Sequence, residues 1–285
     1  MQITLLDGGL GQEIYRRSKL TEALLWSVEA MLKEPEIVTE VHLEFILAGA
    51  EICTLNTYVA TPTRLRNSNR EDDFELIHSM ADQAVREAIQ NSKLPIKVAG
   101  CLPPLHGSYL GMPSRTKNSM SDEYAQIVQL HPTVDLWIIE TMTNPLEAEA
   151  AVTAGLESGK PVFLAYRLEK NGKLKSGQTL REVKGCFDHR DLNGILINCS
   201  EPEIISDHIA ELSDFDMPFG AYGNGFVSVE PLARGESVFK LEAREDLSPT
   251  KYADYVDQWI SVGATIVGGC CEISPSHIQE VKRRL

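Results

Sequence analysis

Ala264-Thr265-Ile266-Val267-Gly268-Gly269-Cys270-Cys271 is the stretch on which the reading of this chain turns. Its first half is an apolar, β-branched run of strand length, and Ser274-Pro275-Ser276-His277 follows as the opening of a last helix. Between the two, a pair of glycines lets the backbone come close to whatever lies beyond the strand, and two cysteines point into that space. Adjacent cysteines rarely close a disulfide with each other, so a metal that takes both thiolates explains them better.

Short continuous apolar runs recur at 3–6, 51–55, 96–99, 136–139, 162–165, 195–197, 219–222 and 265–267. They do not alternate, as expected of parallel strands buried on both faces. Helical patterns lie between them, over 35–48, 72–90, 144–157, 202–212, 249–262 and 275–283, with proline at the start of several. Eight such alternations predict an α/β fold, a closed (β/α)8 TIM barrel with its active site at the C-terminal ends of the strands. The competing arrangement is a doubly wound open sheet, but Asp7-Gly8-Gly9-Leu10-Gly11 does not fit the G-x-G-x-x-G fingerprint. With no internal repeat, low-complexity tract or linker, residues 1–285 read as a single domain. Segment 225–247 lacks clear periodicity and is expected to form a surface loop over the active face.

At 285 residues and 43% hydrophobic, the chain can bury a full core. Its 41 acidic and 27 basic side chains give a formal charge of −14, which argues against nucleic acid or an anionic membrane as partner. The N-terminus shows no signal peptide and no apolar run reaches membrane-spanning length, so a cytoplasmic protein is expected. Six irregularly spaced cysteines do not form a disulfide framework. Cys53, Cys101 and Cys186 read as small buried hydrophobes.

The predicted strand ends carry Asp7-Gly8-Gly9, Asn56-Thr57-Tyr58, Gly100-Cys101, Glu140-Thr141, Tyr166-Arg167, Asn198-Cys199, Gly223-Asn224 and Gly269-Cys270-Cys271. Cys199 is the third thiolate candidate, because strands six and eight both rim one barrel mouth. Three thiolates suit Zn2+, and three protein ligands with an open position is the pattern of a catalytic zinc. His277 falls in the last helix and is expected to face away. The alternative is three unrelated core cysteines. Such a site, with a charge of about −1, is a poor activator of water but can capture a thiol and leave its sulfur nucleophilic, which favours alkyl transfer. Glu140 reads either as the partner of a bound cation or as half of an ion pair inside the mouth. Asp7-Gly8-Gly9 reads as an ordinary βα turn or as an amide nest for a carboxylate. In the second reading of each, the two grip both ends of an amino acid, and Asn224 adds a hydrogen bond.

Asp7-Gly8-Gly9, Leu25-Trp26-Ser27, Asn56-Thr57-Tyr58 with Ala60-Thr61-Pro62, Glu140-Thr141, Asn198-Cys199 and Gly268-Gly269-Cys270-Cys271 resemble the zinc-dependent homocysteine S-methyltransferases, a family that includes the betaine–homocysteine enzymes. The match runs from Leu6 to the final helix. The resemblance implies a (β/α)8 barrel with zinc held by Cys199, Cys270 and Cys271 and the sulfur of L-homocysteine as its exchangeable ligand. It also implies Glu140 and the turn at Asp7-Gly8 as homocysteine anchors, with Gly9, Asn56 and Asn224 in the substrate-binding set. Trp26 resembles the members that use S-methylmethionine or S-adenosylmethionine, whose sulfonium an aromatic face would hold; a packed core indole is the alternative. The chain departs from the pattern at 222–225, where many members have proline before the asparagine, and around 142–144. It lacks the C-terminal extension of the betaine-using relatives, so a monomer or small homo-oligomer is expected, and there is no room for cobalamin or folate modules. The implied function is one-step methyl transfer from a sulfonium donor to homocysteine, forming methionine. The alternatives are betaine as donor, another thiol or selenol as acceptor, or a barrel whose zinc is structural.

Overall fold

The computed structural model describes residues 2–20, 25–113, 115–233 and 238–285. The eight expected runs are eight parallel strands: β1 (Thr4–Leu5), β2 (Ile52–Thr54), β3 (Lys97–Leu102), β4 (Leu136–Met142), β5 (Val162–Tyr166), β6 (Gly194–Asn198), β7 (Phe219–Gly223) and β8 (Ile266–Gly269). Each pairs with its neighbour in sequence, and β8 pairs with β1. A parallel bridge between Leu6 and Ile52 joins the first strand to the second and closes the barrel. This is the (β/α)8 TIM barrel.

Period-two alternation sorts side chains to the two faces of each short strand. Leu6, Ile52, Ala99, Leu136, Ile138, Ala165, Leu196, Tyr222 and Ile266 form the cluster inside the barrel. Trp137, Ile139, Leu164, Ile195, Ile197 and Val267 instead join the larger core beneath the helices. Glu140 therefore stands next in the interior column that begins with Leu136 and Ile138. Strands buried on both faces show no alternation in sequence, so this sorting is visible only in the folded chain.

The helices in chain order are α1 (Leu10–Arg17), α2 (Trp26–Lys33), α3 (Pro35–Ala48), α4 (Pro62–Asn67), α5 (Phe74–Ser92), α6 (Lys117–Leu130), α7 (Pro145–Glu157), α8 (Leu180–Lys184), α9 (Pro202–His208), α10 (Glu230–Ala233), α11 (Pro249–Ser261) and α12 (Pro275–Arg284). Proline opens α3, α4, α7, α9, α11 and α12, where the missing N–H costs nothing and the fixed φ starts the helix. Thr61, Asn144 and Ser248 cap α4, α7 and α11 with side-chain oxygens that accept a backbone N–H. The helix expected over 202–212 is α9 followed by a 3-10 stretch, Ile209–Phe215. No helix among the described residues is long and apolar enough to cross a membrane.

Two expectations change on folding. Cys186 is exposed just after α8 rather than buried, although Cys53 and Cys101 lie in the interior. Segment 225–247 is not a bare loop: it carries α10, a 3-10 turn at Val238–Lys240 and an antiparallel bridge between Phe226 and Ala243. Residues 234–237 of that segment lie outside the described residues.

Candidate active site

A cavity of about 1030 Å³ lies at the C-terminal ends of the strands. Cys199, directly after β6, and Cys270-Cys271, directly after β8, are on its wall, and their three Sγ atoms lie within 4.8 Å of one another. The strand between them holds both turns. Cys199 N–H donates to the carbonyl of Tyr222 (3.1 Å), and Cys270 N–H donates to that of Gly223 (2.9 Å). Cys199 itself adopts a left-handed backbone (φ 49°), as do Trp26, Tyr109 and Thr141 on the same cavity. Non-glycine residues take that conformation only where their surroundings impose it.

Close approach of β1 to the cysteine turn explains the glycines. A Cβ on Gly9 would lie 2.6 Å from the Cys270 carbonyl oxygen, and one on Gly8 would lie 2.3 Å from that of Ile273. The two-amide nest expected at Gly8-Gly9 is not formed, because Gly9 N–H donates to the Ile273 carbonyl at 2.7 Å. These glycines are needed for packing, and Asp7 is the residue of the turn with chemistry to offer. Its Oδ2 accepts from the Thr54 amide at 2.8 Å. Burial, with the charge of Glu140 adding to it, lifts this carboxyl to about 8.

Glu140 faces the same cavity from β4. The β4–β5 register shifts between Ile139 and Met142, and Thr141 has a φ of 61°. Asn198 pins this bulge by accepting from Thr141 N–H (2.8 Å) and donating to its Oγ1 (2.9 Å). The residue before the metal-ligand candidate Cys199 thus braces the residue after Glu140. Burial raises the Glu140 carboxyl to about 7 even though the Cys101 thiol, donating at 2.9 Å, favours its charged form.

Trp26 also lines the cavity, and its Nε1–H donates to Gln12 Oε1 at 2.9 Å. Gln12 in turn donates to Glu272, the residue after Cys271, at 2.7 Å. Asn56 and Asn224, both expected near substrate, spend polar atoms on the protein. Asn56 Oδ1 accepts from Ser27 Oγ (2.7 Å), which braces α2 beside Trp26. Asn224 Oδ1 accepts from Phe226 N–H, and its Nδ2 lies 3.6 Å from Cys199 Sγ.

The family model for homocysteine S-methyltransferase matches residues 4–285. The chain belongs to that family. Like its relatives, it is a methyltransferase. Similar proteins include homocysteine S-methyltransferase 2 of Zea mays (27% identical, covering 99% of this chain and 89% of that protein). The homocysteine S-methyltransferase of Escherichia coli is 28% identical over 99% of this chain and 95% of its own. The selenocysteine methyltransferase of Astragalus bisulcatus is 24% identical over 99% and 92%. Among solved structures, the homocysteine methyltransferase MmuM of Escherichia coli in its metallated form shares the fold with a TM-score of 0.82 at 24% identity, covering 100% of this chain and 97% of that one.

In this homocysteine S-methyltransferase family member the donor set fits a soft metal ion. Tetrahedral Zn–S bonds of about 2.3 Å require sulfurs roughly 3.8 Å apart, and the trio is already within 4.8 Å. His277 is not among them: its Nδ1 serves the start of α12 and its Nε2 lies 2.9 Å from the Leu247 carbonyl. Within the trio, the Cys270 and Cys271 thiols and the Tyr109 hydroxyl hold Cys199 well below the usual thiol range. Sharing that charge pushes Cys270 and Cys271 upward.

Two contributors escaped the sequence reading. Tyr109, whose OH lies 3.2 Å from Cys199 Sγ, belongs to the segment between β3 and α6, where no periodicity signals a role. Cys101 shows its place only in the folded register: two residues past the interior Ala99, it points toward Glu140.

Proposed function

We propose that this protein transfers a methyl group from a sulfonium donor, S-methylmethionine or S-adenosylmethionine, to the sulfur of L-homocysteine, forming methionine. The observation that carries this reading is the thiol trio placed on one cavity with the buried Asp7 carboxyl, the half-buried Glu140 carboxyl and an indole. Zinc held by Cys199, Cys270 and Cys271 would supply the ionisation of the homocysteine thiol, which is otherwise only a few per cent thiolate at neutral pH (ordinary pKa ~8.5). Asp7 and Glu140, as carboxylates, hold the ammonium group of homocysteine. The indole of Trp26 offers its face to the donor cation, an interaction of about 1–2 kcal/mol in a desolvated site. Gln12 and the brace between Asn56 and Ser27 keep that ring in place.

In the transfer, the homocysteine sulfur forms the new S–CH3 bond with its electron pair as the old bond breaks. The electrons of the old bond leave with the donor sulfur, which passes from sulfonium to neutral thioether. No side chain has to accept a proton in that step, so the protein's contribution is alignment and exclusion of water. Free cysteines in this number suit the reducing cytoplasm. The barrel closes within the chain, which supports one catalytic domain, working as a monomer or small oligomer.

Zinc-edge X-ray absorption tests the reading. L-homocysteine should raise the sulfur count at the metal from three to four, and a panel of S-methylmethionine, S-adenosylmethionine and betaine should identify the donor. Selenocysteine belongs among the acceptors tried, because a similar protein is named for it. Cys270→Ser should lose zinc on dialysis and lose methyl transfer; a variant that kept both would refute the proposal.

A further inference from the structure

His42, in the middle of α3, is completely buried, and neither of its ring nitrogens has a hydrogen-bond partner among the described residues. A buried imidazole left without partners is uncommon, since lost hydration is normally replaced by a hydrogen bond. Asp7, His42 and Cys53 each bring a polar atom within 4.8 Å of the other two. Asp7 ends β1 on the cavity, Cys53 is on the outer, helix-facing side of β2, and α3 packs against both α1 and β2. His42 is thus placed behind the Asp7 carboxyl, on the side away from the cavity.

We propose that His42 is a positioning residue for the ammonium anchor: its ring N–H donates to the Asp7 carboxylate when homocysteine is bound. This rests on the assignment of Asp7 to the homocysteine ammonium made above. Thr54 already donates to Asp7 from β2 through its amide at 2.8 Å and its hydroxyl at 3.4 Å, but a carboxylate carries about four acceptor positions, and an enclosed one needs most of them filled. Burial keeps His42 neutral, so it can offer one N–H without adding a charge. The titratable groups facing Asp7 are His42 from α3, Cys53 from β2, Cys101 from β3 and Glu140 from β4. Of these, Glu140 repels the anion and the two thiols are weak donors, which leaves the imidazole as the strong donor among them. A metal ion bound by Asp7, His42 and Cys53 is the rival use of the same atoms. It would take Asp7 away from the ammonium, and two of its three donors would have to give up protons that burial holds in place.

The experiment compares the zinc-loaded wild type with His42→Phe and His42→Gln, using L-homocysteine and its des-amino analogue 4-mercaptobutanoate. His42→Phe should raise the KM for L-homocysteine roughly 10- to 100-fold, the range of one hydrogen bond to a charged group. It should leave kcat and the KM for the methyl donor close to wild type, and His42→Gln, which keeps an N–H donor, should recover most of the loss. Affinity for 4-mercaptobutanoate, which has no ammonium, should be equal in all three proteins. In the wild type, 15N NMR of the imidazole should show the His42 signal moving on addition of L-homocysteine but not of 4-mercaptobutanoate; this arm decides the matter if a variant fails to fold. Equal weakening for both thiols, or an unmoved His42 signal on saturation with L-homocysteine, would overturn the proposal. So would a second equivalent of zinc that disappears in His42→Phe. Failure of the wild type to bind L-homocysteine at all would instead remove the underlying assignment of the site.

Discussion

Glu140 and Asp7 are acids that burial keeps from ionising at the usual pH, at about 7 and about 8 respectively. An ammonium group needs them as anions, so kcat/KM for L-homocysteine should climb with pH through this window. With two groups to ionise, the logarithmic slope on the acid side should approach about two, and Glu140→Gln should reduce it to about one. The pair repel each other, so the limb reports the two together rather than either alone. Cys101 modulates the limb: its thiol donates to Glu140 and favours the anion. Cys101→Ala should therefore move the limb to higher pH, and Cys101→Ser should restore it. A pH–rate profile of the three proteins checks both statements. None of this could be read from Cys101 itself, whose neighbours in sequence are those of an ordinary core residue.

The β1–α1 and β8–α12 connections act as one element of structure at the site. Gly9 lies against the Cys270 carbonyl and Gly8 against that of Ile273, so each turn is shaped by the other. Gly9→Ala would press a methyl group against backbone atoms that have no rotamer to give. It should lower stability by about 1–3 kcal/mol, the ordinary range for overpacking, and weaken zinc binding with it. Urea unfolding and competition with a chelator would measure the two effects, and unchanged zinc affinity would show the turns to be independent. The bulge of β4 works in a similar way with β6. Asn198 holds Thr141 from the next strand but one, which ties the orientation of Glu140 to the strand that carries Cys199. The motifs Asn-Cys and Glu-Thr are thus two sides of one contact.

At the scale of the whole molecule, the buried titratable groups set opposing limits on stability. His42, His78 and His131 are pushed down from 6.5 to about 3, 3 and 4 by burial. The unfolded chain therefore takes up protons that the folded one refuses, and stability falls as pH drops below about 6.5. Asp7 and Glu140 are shifted upward, so they hold protons in the folded state that the unfolded chain has already released. Their contribution is fully present below the ordinary carboxyl range, about pH 4, and is lost as pH rises through about 7 and 8. Urea midpoints of the zinc-free protein should accordingly pass through a maximum near pH 6. A midpoint that kept rising to pH 8 would show that the two carboxyls are not buried as acids.

The barrel and the cysteine set were legible in the linear chain because their signals are local. Strand-length apolar runs, prolines at helix starts and the Gly-Gly-Cys-Cys turn depend on residues a few positions apart, and the barrel they predict put the end of strand six, with Cys199, on the same mouth as the pair at β8. Tertiary structure decided which polar atoms remain for chemistry. It consumed the Gly9 amide on Ile273 and directed Asn224 to Cys199. It also joined Cys101 to Glu140 and left His42 without a partner behind Asp7. Those outcomes follow from burial and from contacts between residues far apart in sequence, which are fixed only when the helices and strands have packed.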